Sequence, residues 1–193
     1  MSKSQFHVRQ MCRIAVMAAL YVPLALYVGV KVGNVHITFG SLPVVVAALL
    51  WGPGESFLVA AIGEFFTQLL NYGLTATTIL YVIPPALRGV VIGVAAVWLW
   101  QHRGVHLECN RVLCYLVCIA AAVVTTTSNT VVIAVDSIIY GYYSAAYVFG
   151  TLLWRFAVGM INAVVISTVA MVLVSQVRLL GLEGKSYAGR RGH

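Results

Sequence analysis

Charge is what this chain has least of. Only 9% of its 193 residues are charged and 5 are acidic, whereas an average soluble domain carries roughly 25% charged residues. With 61% hydrophobic residues and a mean hydropathy of +0.95, that scarcity excludes an ordinary soluble globule. It predicts a single integral membrane domain over residues 1–193. A net charge of +7 would suggest a nucleic-acid partner in a soluble protein. Here Lys3, Arg9, Arg13, Arg103, Arg111, Arg178, Lys185, Arg190 and Arg191 all fall in the termini and one polar loop. The positive-inside rule produces that distribution, and no nucleic acid is expected.

Other absences exclude other functions. The cysteines, Cys12, Cys109, Cys114 and Cys118, contain no CxxC pair, so a disulfide framework is not expected in a reducing compartment. Cys114 and Cys118 read as apolar packers. The basic N-terminus leads into apolar residues with no small-x-small cleavage site, which implies a retained first helix. Gly184-Lys185-Ser186 resembles the end of a phosphate-binding loop, but Leu179 stands where the upstream glycine is required and no strand precedes it. His102, His106 and Cys109 lack a further close ligand, so no metal is expected. No nucleophile–base–acid arrangement is visible, so neither an enzyme nor a cofactor is expected.

What the chain does have is a series of apolar spans near the roughly 20 residues that cross a bilayer. They run over about 14–30, 42–51, 56–70, 78–100, 112–139 and 146–177, with a basic tail over 178–193. The fold class expected is an all-α membrane protein, a bundle of about six transmembrane helices. The basic residues put both termini in the cytoplasm and the loops 31–40, 71–77 and 140–147 outside. Alternating Val35, Ile37 and Phe39 predict a short extended piece in the first of these loops. Gly52-Pro53-Gly54 predicts a tight turn between the second and third spans.

Arg88 stands in the middle of the fourth span, just after Pro84-Pro85. The prolines either start a helix or free the carbonyls of Leu80 and Tyr81 within one. A charge at bilayer depth usually faces a protein interior or a watery cavity. Polar residues elsewhere repeat at helical spacing: Glu64, Thr67, Gln68 and Asn71; Thr77, Tyr81, Pro84 and Arg88; Thr125, Asn129 and Asp136; Tyr147, Thr151, Arg155 and Asn162. If these stripes converge, they enclose a polar cavity open towards the outer loops. Thr125, Thr126, Thr127, Ser128 and Thr130 read more readily as interhelical glue. Glu64, Arg88, Asp136 and Arg155 balance in charge, and Glu64–Arg88 and Asp136–Arg155 pairs would serve either structure or ligand. Gly89 and Gly93 read as a close-packing pair.

Several pieces together carry a family resemblance: Ala15-x-x-x-Ala19, the run Ile37 to Pro43, Trp51-Gly52-Pro53-Gly54, Pro85-Ala86-Leu87-Arg88-Gly89, Ser128-Asn129-Thr130 and Tyr140-Gly141. In this order they resemble the substrate-binding S-component of an energy-coupling factor (ECF) vitamin transporter, with the folate-type branch most similar. The resemblance covers about residues 13–177. It implies an importer component in the prokaryotic plasma membrane that binds a vitamin at its outer face and lacks an ATPase of its own. Folate is the implied ligand, with pantothenate as another candidate. It also implies docking through Ala15 and Ala19 on a membrane coupling protein driven by two ABC-type ATPases. The substrate-binding candidates are His36, Glu64, Asn71, Tyr81, Arg88, Asn129, Asp136, Tyr140 and Arg155. An autonomous secondary transporter or channel for a small polar solute would use the same stripes.

Overall fold

The computed structural model describes residues 3–32, 35–150 and 152–180. Six long helices dominate it: α1 (Lys3–Leu26), α2 (Ser41–Trp51), α3 (Pro53–Tyr72), α4 (Thr78–Arg103), α5 (Arg111–Ile139) and α7 (Leu152–Leu179), with a five-residue α6 (Ala145–Phe149) before the last. Val8–Leu26, Thr78–Arg103, Arg111–Ile139 and Ala145–Leu179 are long and apolar enough to cross a membrane. Their outward faces keep Leu20, Leu116, Val131 and Ile161 exposed, as a bilayer-facing surface requires.

The first span ends earlier than hydropathy suggests. Leu26 closes α1, and Gly29–Val32 forms β1, which pairs antiparallel with β2 (Val35–Thr38). Val30 therefore belongs to a hairpin rather than to the helix. Alternating β-branched residues on both strands favour that geometry. Hydropathy counted these valines as membrane residues because it ignores periodicity. The sixth span is also divided, with Ala145–Phe149 separate from Leu152–Leu179. Pro84 and Pro85 do not start a helix, because α4 runs through both.

The short α2 is the centre of the bundle. Its 11 residues span about 16 Å at 1.5 Å per residue, half a bilayer core. Residues 43–50 are all buried, and the helix packs against α1, α3, α4 and α7. Two glycines set the distances around it. A Cβ on Gly93 would stand 2.6 Å from the backbone of Pro53, and one on Gly63 would stand 2.5 Å from the Tyr21 ring. The first lets α4 cross the α2–α3 turn, and the second lets α1 lie on α3. Ser56 fixes the α3–α4 crossing by donating from Oγ to the Gly89 carbonyl at 3.0 Å. The packing role expected of Gly89 and Gly93 is the one they perform.

Candidate binding site

Arg88 lines a small cavity of about 10 Å³, room for about one water, together with Ser41, Val45, Ile92, Cys118, Ala163 and Ile166. These residues come from α2, α4, α5 and α7, so the cavity lies inside the bundle. Thr125 Oγ donates to the carbonyl of Ala121 at 2.7 Å. Its remaining lone-pair direction meets Arg88 Nε, which donates at 3.3 Å.

Ser41 at this cavity, and Asn162 and Arg155 elsewhere on α7, each have a buried polar atom with no hydrogen-bond partner. Ser41 is 5% exposed, and its Oγ, though buried, accepts and donates nothing. Asn162 donates from Nδ2 to the Thr38 carbonyl at 3.4 Å, which ties α7 to the hairpin, while its Oδ1 is buried and unpartnered. Nη1 of Arg155 is in the same condition. Each unmade bond at a buried group costs about 1–3 kcal/mol. The three lie on two packed elements, Ser41 on α2 and Arg155 and Asn162 on α7, and such groups call for an explanation.

A second polar cluster closes the hairpin end of α4 and α5. Asp136, 8% exposed, accepts from Thr77 Oγ at 2.6 Å and from the Tyr142 hydroxyl. Tyr81 faces the same carboxylate. The bond to Asp136 is the main reason that the Tyr142 phenol is pushed up to about 12, burial adding to it. The Tyr142 ring meets Tyr147 edge to face, with centroids 5.7 Å apart, so the loop after α5 is tied to both helices and to α6.

The third cluster faces α1. Glu64 accepts from the Tyr21 hydroxyl at 2.6 Å and from Gln68 Nε2 at 2.7 Å. Neither expected ion pair forms: Glu64 is engaged by Tyr21 and Gln68, and Asp136 by Thr77 and Tyr142. Arg88 still senses the Glu64 charge but does not bond it. The four stripes therefore do not meet in one place, because α3 turns its polar face to α1. Asn71 lies exposed at the end of α3, Asn129 is half-buried on α5, and Tyr140 is exposed after it. His36 belongs to β2, and its side chain lies outside the described residues. Ala15 and Ala19 are exposed on α1 and border an apolar groove with Leu58, Ile62 and Phe66 of α3.

Sequence reasoning missed Ser41 and Tyr21. Ser41 sits in the run Ile37 to Pro43 and was within reach, and Tyr21 stands out as a polar group in an alanine-rich helix. Tyr142 is one of several neighbouring tyrosines that could stack on a heteroaromatic ring, and its bond to Asp136 is what the sequence does not show. Among the described residues no three His, Cys, Asp or Glu side chains group as metal ligands.

The family model for the S component of ECF-type riboflavin transporters matches residues 5–179. Two solved structures share the fold. One, described as the S component of a bacterial ECF transporter, is 16% identical, with 93% of this chain and 99% of that chain covered and a TM-score of 0.63. The other, the S-component for biotin from an ECF-type ABC transporter, is 15% identical, with 91% and 95% covered and a TM-score of 0.58. No curated protein matches the chain.

Proposed function

We propose, from the premise that this chain belongs to the family of ECF-type riboflavin transporter S components, that it is the flavin-binding subunit of a vitamin importer. ECF S components are integral membrane transport proteins rather than enzymes, and they bind a vitamin and associate with an ECF module. The family model moves the preferred ligand from folate or pantothenate to riboflavin. The observation that carries the reading is the match to that family model over residues 5–179, and buried atoms on Ser41, Arg155 and Asn162 that make no hydrogen bond support it. Tyr140, Tyr142 and Tyr147, each about half exposed at the hairpin end, supply flat faces for a heteroaromatic ring.

In this reading both termini are cytoplasmic, the hairpin end faces outward, and the membrane is a prokaryotic plasma membrane. The α1–α3 groove beside Ala15 and Ala19 receives the coupling protein, which two ABC-type ATPases drive. Small side chains suit close helix approach. The test is a fluorescence titration of the detergent-solubilised full chain with riboflavin, folate, pantothenate and biotin. Saturable one-to-one quenching of riboflavin is the expected result, and no response to riboflavin would sink the flavin assignment. Ala15→Trp with Ala19→Trp is expected to spare binding and stop uptake. Unimpaired uptake would move the docking surface elsewhere, and transport in vesicles without an ATPase would restore the autonomous-transporter reading.

A further inference from the structure

Two helices side by side in a bilayer gain little from hiding apolar surface, because lipid tails are as apolar as their own side chains. What holds α1 on α3 is therefore close packing and any polar bond that crosses the seam. The packing is closest at Gly63, where an added Cβ would stand 2.5 Å from the Tyr21 ring, itself 5% exposed. The polar bond comes from the same side chain, whose hydroxyl donates to Glu64 Oε2 at 2.6 Å. Gln68, one turn further along α3, donates to the other oxygen, Oε1, at 2.7 Å. Glu64 is thus held by its own helix while its second oxygen holds α1. The same seam carries the apolar groove, with Ala15 and Ala19 on one wall and Leu58, Ile62 and Phe66 on the other. Ile62 and Glu64 are two residues apart and project from different sides of α3, so the groove lies on the outer side of the seam and the hydrogen bond on the inner.

We propose that Tyr21 is a positioning residue for docking: its hydroxyl, held by Glu64, fixes α1 against α3 at the spacing the coupling protein requires of the groove. This rests on the reading of that groove as the docking surface. Tyr21 is buried behind the groove and touches no partner. It acts through the placement of Ala15 and Ala19, whose small side chains permit close approach only while the wall opposite them stays at the right distance. Without the hydroxyl, the ring still packs on Gly63, but the buried Glu64 oxygen loses its bond, and such an oxygen favours any shift of the helices that finds it another donor.

The experiment measures, on the full chain, riboflavin affinity in detergent and the yield of complex with the coexpressed coupling protein and its two ATPases. Tyr21→Phe keeps the ring on Gly63 and removes only the donor. It is expected to bind riboflavin within about twofold of the wild type and to lose at least threefold in complex yield and in uptake. Glu64→Gln keeps an acceptor oxygen for Tyr21 and is expected to assemble like the wild type. Glu64→Leu is expected to match the assembly loss of Tyr21→Phe, and the two changes together to lose no more than either alone, as partners in one bond should. Wild-type assembly by Tyr21→Phe, where Ala15→Trp with Ala19→Trp abolishes assembly, overturns the inference and leaves the docking reading standing. Assembly that survives both tryptophans overturns the docking reading itself. A fall in riboflavin affinity as large as the fall in assembly would make Tyr21 a residue of general folding, and that too overturns the inference.

Discussion

Arg178 and Arg88 are the same residue in two kinds of setting. At the basic end, Arg178 pairs through Nε with Glu108 Oε1 at 2.6 Å, where the two side chains are 15% and 5% exposed, and donates from Nη2 to the Leu49 carbonyl at 3.3 Å. Its partners come from the short 3-10 turn Leu107–Cys109 and the end of α2, so three elements are clamped together. Arg88 has one hydrogen bond to a threonine and a cavity in front of it. A charge whose bonds are supplied by its own chain holds a fold together. A charge left short of bonds holds something else.

The strongest way to break this comparison is to disable the closed side. Glu108→Ala leaves a buried guanidinium uncompensated, which costs about 3–5 kcal/mol. A large drop in the thermal midpoint of the detergent-solubilised chain is expected, and Glu108→Leu combined with Arg178→Met is expected to recover most of it. A single mutant that melts like the wild type would reduce the clamp to an ornament of the basic end.

The open side should respond in the opposite way. Arg88→Ala is expected to leave the ligand-free thermal midpoint near that of the wild type and to weaken flavin binding at least tenfold, equivalent to about 1.4 kcal/mol. Unchanged affinity in a folded variant would remove Arg88 from the site and erase the contrast with Arg178.

A smaller effect sharpens the comparison through pH. His106 stacks on Trp100 with centroids 4.3 Å apart. Burial, and then the neighbouring Arg178 charge, push its imidazole down to about 4. Because the unfolded chain binds this proton near pH 6.5 and the folded chain does not until about pH 4, stability is lost as pH falls through that interval. His106→Phe is expected to flatten this part of the melting profile in midpoint measurements from pH 7 to pH 4.5. A profile identical in slope to the wild type would place the titrating group elsewhere.

Much of the architecture was legible in the chain because it follows from local rules. Helical periodicity and hydropathy located the membrane helices and the polar faces on them. The alternation at Val35, Ile37 and Phe39 marked a short extended piece, which the structure shows as β2 of a hairpin, while its partner strand was absorbed into the first span. The packing role of the α4 glycines was the default reading of their spacing, and the contacts of Gly89 and Gly93 show it. The site was legible only as a set of candidates. Arg88 and Arg155 were singled out by charge, but what Ser41 and Tyr21 meet, the Arg88 cavity and the Glu64 carboxylate, is set by other helices.

The sequence by itself therefore determined the class of protein and the few ionisable side chains expensive enough to need a reason. Those depend on each residue's own transfer energy and on its nearest neighbours along the helix. Only the tertiary structure decided which charge met which partner. Glu64 and Arg88 have matching charges and neighbouring helices, yet α3 is rotated by the Gly63–Tyr21 contact so that Glu64 bonds to α1. Arg178 and Glu108, 70 residues apart in the chain, are brought to 2.6 Å. Hydrogen bonding acts over about 3 Å, and which groups come within that distance is set by how whole helices pack, a property that no window along the chain contains.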